Sequence, residues 1–271
     1  MTRHRGTYKP DHAEPYELGR SQIEHFIKCP ACYWLKRAKG VKFPGMPGFL
    51  LNTATDTLLK KDFDVYREKG EPHPFMKRHG LGYLVPYNHK DFDFWTKALQ
   101  LGLRTSHNAS GFIVGGGLDD VWHNPVTDEI HIVDYKSTAT KRNKDLTALE
   151  TITLEGAYKS GYKRQLEIYQ WIMRQNGFNV SDIGYFLFVN GDQHFADGML
   201  EKDKDKANMS FEVQLVPYKG DDSWVERKIL DLKECLVSPN CPDHSTSGFG
   251  PKGNKECEYL TLFKGLEENN L

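Results

Sequence analysis

The stretch GGGLDDVWHNPVTDEIHIVDYKST, residues 115 to 138, constrains this chain more than any other part of it. Residues 112 to 123 and 129 to 137 alternate in polarity and are rich in Val and Ile. Asn-Pro and Asp stand between them as turn punctuation, so the two runs predict a β-hairpin. With the turn at Pro125, Val126, Thr127 and Asp128, Asn124 faces Glu129, and counting back along both strands sets Asp119 opposite Asp134. Like charges across a strand pair are destabilising, which calls for a compensating cation or a raised pKa. Alternation puts Lys136 on the face of Asp134, across from Gly117, which leaves space above the sheet. Asp120 falls on the opposite face and is expected to be structural or at the surface.

Two carboxylates and a lysine over an open floor suit phosphodiester hydrolysis. Hard oxygen ligands from Asp119 and Asp134 can hold Mg²⁺ or Mn²⁺ with waters retained; the ion lowers a water's pKa and neutralises phosphate charge. Lys136 would orient or activate the attacking water, or stabilise the pentacovalent transition state.

The rest of the chain supplies a scaffold. At 271 residues and 38% hydrophobic content it can bury a sizeable core, and we expect one α/β domain over residues 1–271. Residues 1–20 read as an extended or flexible N-terminus and 236–271 as a cysteine-containing tail. Ser21 and Glu24 have the spacing of a capping box ahead of a helix that Pro30 should end or kink. A second helix ends at Gly70, with Asn52, Asp56, Leu59, Phe63 and Tyr66 on one stripe, so that Asp56 interrupts an inward-facing row. KRQLEIYQWIMRQNGF predicts an amphipathic helix closed by Gly177. GYFLFVN, residues 193 to 199 and FEVQLVPY predict strands, and SWVERKILDLKECLV a last helix. The N-terminus lacks a signal-peptide core and no window reaches membrane-span length, so a cytoplasmic protein without a membrane partner is expected.

The motifs GGLD, IVDYKS and QLEIY, with Gln165 and Tyr169 in the last, also resemble in order and spacing the G-x-x-D, D-x-K and Q-x-x-x-Y series of the PD-(D/E)XK nuclease superfamily, RecB-type domains in particular. The early S-x-I-x-x-F-x-x-C-P is similar to the first helix of that group and of the related CRISPR-associated exonucleases, so the likeness runs from about residue 21 to 260. It implies a restriction-endonuclease-like core, a central mixed β-sheet flanked by α-helices, and a Mg²⁺- or Mn²⁺-dependent DNA nuclease, with exonuclease action in repair, recombination or phage DNA processing. A helicase or recombination partner is in keeping with it. By position, Asp119 and Asp134 would be metal ligands, Lys136 the catalytic lysine, and Val133 would lend its backbone carbonyl. Gln165 and Tyr169, one turn apart, would contact nucleic acid or brace the lysine. Where the group often has an early histidine ligand, this chain has Asp56, which can be a ligand or merely a helix-capping residue. The alternative is a nucleic-acid-binding module of the same fold without cleavage.

Local charge favours nucleic acid although the whole chain, with 36 basic and 37 acidic residues, has no global field. Between Lys136 and Arg164 lie seven basic residues, Lys141, Arg142, Lys163 and Arg164 among them, against three acidic ones. Such a patch would give salt-sensitive phosphate contact without sequence readout. The five cysteines leave three readings open. Cys29 with Cys235, Cys241 and Cys257 matches in number, but not in spacing, the 4Fe-4S ligands of some relatives. Cys29, Cys32, Cys241 and Cys257, with His244 as a substitute, would suit Zn²⁺. The preferred reading leaves all five as free or core thiols.

Overall fold

The structure, a computed structural model, describes residues 3–42, 48–97, 102–142, 148–194, 198–201 and 204–244. In chain order its elements begin with β1 (Tyr16–Gly19), α1 (Arg20–Lys28), α2 (Pro30–Arg37), α3 (Leu50–Lys69), α4 (Pro74–Arg78), β2 (Val85–Pro86) and α5 (Phe92–Thr96). There follow β3 (Leu103–His107), β4 (Phe112–Gly116), β5 (Asp120–Asn124), β6 (Glu129–Thr138), α6 (Ala157–Gln175), β7 (Ile183–Gly191), β8 (Phe211–Lys219) and α7 (Val225–Val237). The chain forms two compact units, residues 1–46, 104–116 and 222–271, and residues 47–103 and 117–221.

The first unit holds a sheet of order β1-β4-β3, in which β1 runs parallel to β4. The N-terminus expected to be loose is instead tied down: Tyr16 and Leu18 are buried in β1, and His4 bridges to Tyr16. Apolar residues at alternate positions of a strand give it a face to bury, which a flexible arm would lack. At α1 the capping box does not form, because Ser21 lies inside the helix and Gly19 occupies the cap. Pro30 does more than end that helix. It sits at the first position of α2, where its fixed φ and missing N–H cost nothing, and Cys29 caps it through its sulfur.

The second unit is built on a mixed sheet of order β2-β5-β6-β7-β8. β5 and β6 form the hairpin in the register read from the sequence, Asn124 against Glu129 and Asp120 against Val133. β6 and β7 run parallel and are joined through α6, since parallel neighbours need a crossover. The run from 112 to 123 is not one strand, however. β4 ends at Gly116 in the first unit's sheet and β5 begins at Asp120 in the second, so Asp119 lies just ahead of a strand. The strand expected at 193 to 199 is likewise not seen at residues 193, 194, 198 and 199, which are turn, bend or irregular; residues 195–197 lie outside the described ones.

One face of the central strands packs Val133, Tyr135, Tyr185 and Leu187 against Phe63 of α3, Met76 of α4 and Trp122 of β5. The other face meets α6. There Gly184 makes a close approach: a Cβ would stand 2.7 Å from Leu166 Cδ1 and 2.9 Å from the Ile132 carbonyl oxygen. The backbone contact cannot give way as a side chain can. Gly184→Ala should therefore lose about 1–3 kcal/mol of stability, read from a shifted midpoint in chemical denaturation.

Candidate active site

The site grows from the C-terminal half of β6. Asp134 and Lys136 stand two residues apart on one strand and so share a face, where they form an ion pair. Asp134 is 1% exposed; its Oδ2 meets the Lys136 ammonium, and its Oδ1 has no hydrogen-bond donor among the described residues. Leaving one oxygen of a buried carboxylate without a donor is costly, so this is a place where an added cation would be stabilising.

Asp119 completes the register, one residue before Asp120 and hence across from Asp134, and its Oδ2 accepts from the Tyr135 N–H at 2.9 Å. Burial, then the Asp134 carboxylate, push Asp119 up to about 6. Asp56 reaches the same place from α3. It is not a cap, since the helix starts at Leu50, and it pairs with Lys60 at 3.0 Å. Burial and then Asp119 raise its pKa, which puts the two carboxyl groups in each other's field. Asp56, Asp119, Tyr135, Lys136, Ser137 and Tyr162 line one cavity of about 290 Å³, together with Asn52, Thr53 and Leu59.

The raised Asp119 has a consequence for stability. Between the ordinary carboxylate value of 3.8 and about 6, the folded chain holds a proton that the unfolded chain has released. Its stabilising contribution is full below that window and is lost as pH rises through about 6. In EDTA the thermal midpoint should therefore fall from pH 5 to pH 7, and Asp119→Asn should flatten that slope. An identical slope in the variant would show that another group sets it.

The other predicted residues are placed less uniformly. Val133 is buried in the apolar cluster and lines no part of the cavity; the carbonyl beside the Lys136 ammonium, at 3.4 Å, is that of Tyr135. Val133 and Tyr135 share one face of β6 in the core, but the cavity lies at the C-terminal end of the strand, at Tyr135, Lys136 and Ser137, past Val133. Gln165 and Tyr169 are buried on α6 and do not line the cavity. Tyr162 does, with Lys136 Nζ 4.9 Å from its ring centroid. Sequence reasoning passed over it, yet it lies three residues before Gln165 and seven before Tyr169, a spacing that shares one helix face.

Of the basic residues, Lys141 is exposed and Arg164 half-buried, while Lys163 is 4.0 Å from Glu155. Arg142 is committed to Asp192 at 2.8 Å and to the His194 carbonyl, so it serves the fold more than a ligand.

Asp120, the neighbour on the other face, is structural and not at the surface. It is fully buried and accepts from Arg67 at 2.6 Å, the Val121 amide, Trp122 Nε1 and the Tyr135 hydroxyl. Arg67 in turn donates to Asp64 and the Tyr87 carbonyl, and lies 3.7 Å over the Phe92 ring.

What the fold defines is an α/β protein with two mixed sheets and flanking helices. Comparison with protein-family models, with curated proteins and with solved structures found no match. No helix among the described residues is long and apolar enough to cross a membrane.

Proposed function

We propose that this chain is a divalent-metal-dependent nuclease that hydrolyses phosphodiester bonds in DNA, acting from ends, as its motif series resembles. The observation that carries this reading is the buried Asp134, ion-paired to Lys136 through Oδ2 and without a donor on Oδ1, set across from Asp119, which with Asp56 and Lys136 lines an open cavity. Asp134, Asp119, Asp56 and the Tyr135 carbonyl offer only oxygen donors, which would suit Mg²⁺ or Mn²⁺ better than a softer ion; the three carboxylates do not all lie within 4.8 Å of one another, and the ion would draw them together. Bound there, the metal supplies an acidified water and neutralises charge on the phosphate.

The chain's own residues do the rest. Lys136 holds a proton at Nζ, from which it orients the attacking water or pairs with a non-bridging phosphate oxygen. Tyr162 holds the lysine ammonium over its ring. Lys159, 4.7 Å from the Phe188 ring and close enough to Lys136 to be affected by its charge, extends the positive field along α6 toward the nucleic acid backbone. A cytoplasmic setting and a helicase or recombination partner that feeds ends to the site belong to the same proposal.

The test is cleavage of end-labelled linear single- and double-stranded DNA beside a closed circle, with an RNA strand as a further arm, in Mg²⁺, Mn²⁺ or EDTA. Metal-dependent loss of the linear DNA, a surviving circle and an inert Asp134→Ala variant are the expected results. Binding without cleavage, unchanged in Asp134→Ala, would replace this reading with a nucleic-acid-binding module.

A further inference from the structure

A second cluster lies in the first unit, apart from the carboxylates and independent of the nuclease reading. Two short pairs in the sequence, Cys29-Pro-Ala-Cys32 and Cys241-Pro-Asp-His244, each separate two metal-binding side chains by two residues. α1 ends at Lys28, Cys29 is extended at φ −158° and ψ 104°, and Pro30 starts α2, so the chain turns sharply between the two cysteines. The Cys32 amide then points at Cys29 Sγ, 3.5 Å away, a contact that favours a thiolate.

The second pair is brought there by α7. That helix packs on α1 and α2; Trp34 Nε1 donates to the Ser238 carbonyl at 3.0 Å, and Cys235 Sγ contacts the Pro30 carbonyl. The chain leaving α7 is thereby held beside Cys29. His244 Nδ1 stands 3.6 Å from Cys29 Sγ and 3.7 Å from Cys32 Sγ. Among the described residues this is the one group of three such side chains whose ligand atoms lie within 4.8 Å of one another. Both thiols are 4% exposed.

Those distances select a chemistry. Around a tetrahedral zinc, with Zn–S of about 2.3 Å and Zn–N of about 2.0 Å, a sulfur and a nitrogen ligand stand roughly 3.6 Å apart. One nitrogen at that distance from two sulfurs describes a single ion. The ligands of a 4Fe-4S cluster each take a separate iron at the corner of a cube and must stand farther apart. Cys235, which such a cluster would need, sits inside α7 with its sulfur on the Pro30 carbonyl.

We infer that Cys29, Cys32 and His244 hold one Zn²⁺ ion, with Cys241 as the fourth ligand. Cys241 is the exposed member and stands three residues before His244, the spacing that also separates Cys29 from Cys32; its sulfur lies outside the 4.8 Å group of the other three, and thiolates drawn to one point repel one another. A cation between them relieves that repulsion, and binding releases the thiol protons. The ion closes the chain between residues 32 and 241, so it staples the segment after α7 to the α1–α2 corner.

The experiment is elemental analysis of the full chain purified from zinc-supplemented medium, followed by Co²⁺ titration of the reduced, metal-stripped protein. One zinc per chain is expected, and one equivalent of Co²⁺ should produce the thiolate-to-cobalt and tetrahedral d–d bands of a site rich in sulfur. Cys241→Ser and His244→Ala should lose most of the zinc, whereas Asp134→Ala should keep it, which separates this site from the carboxylates. Bound iron with a brown colour would overturn the inference in favour of a cluster. A wild-type protein with neither zinc nor cobalt bands, or with a Cys29–Cys32 disulfide, would overturn it in favour of plain cysteines. Because the cobalt spectrum is read on the wild type, a variant that fails to fold leaves the inference decidable.

Discussion

Lys136→Met should lower the rate of metal-dependent DNA cleavage by roughly 10²–10⁴-fold while the protein stays folded. The substitution removes the ammonium and its contact with the Tyr162 ring but keeps an unbranched apolar side chain of similar length, which changes the packing around β6 little. It also leaves Asp134 without its ion-pair partner, and a divalent cation should compensate for that in the assay buffer. The thermal midpoint of the variant should thus recover when Mn²⁺ is added, and the rate should not. Single-turnover cleavage at saturating protein reads the chemical step directly. A loss smaller than tenfold would remove Lys136 from the chemistry and leave the carboxylates to carry the proposed reaction.

The largest effect on stability is expected on the other face of the same strand pair. Asp120→Ala should cost about 3–5 kcal/mol, because it leaves the buried Arg67 guanidinium without its carboxylate. The Trp122 indole and the Tyr135 hydroxyl lose an acceptor in the same step. For a unit of this size the thermal midpoint should fall by roughly 10–15 °C. Removing the charge on both sides, with Asp120→Asn and Arg67→Met together, should recover part of the loss, since losing both charges is far less costly than leaving one orphaned in the core. Strict additivity of the two single changes in a double-mutant cycle would show that the pair is not coupled and that each residue acts through other contacts.

Much of the site was legible because a hairpin converts sequence into contacts by simple counting. The turn at residues 125 to 128 and the period of two set Asp119 against Asp134 and put Lys136 on the same face, and the observed pairing of Asn124 with Glu129 keeps that register. Helix α6, the α3 stop at Gly70 and the apolar β7 were legible for the same reason, as local periods with local stop signals. Asp120 shows where counting ends. Alternation sends it to the opposite face, but whether that face is water or core depends on Arg67, fifty-three residues away.

By itself, then, the sequence determined the α/β character, the hairpin register and the grouping of two carboxylates with a lysine, because each follows from neighbours close along the chain. Only the tertiary structure decided three further matters. It split residues 112 to 123 between two sheets, a division that depends on which partner strand each half finds. It brought Asp56 and Tyr162, from helices on either side of β6 in the chain, to the cavity beside Lys136. It also set His244 beside Cys29 and Cys32. These contacts join residues far apart in sequence, and no local period records them; they form only when burial of the intervening apolar faces folds the chain back on itself.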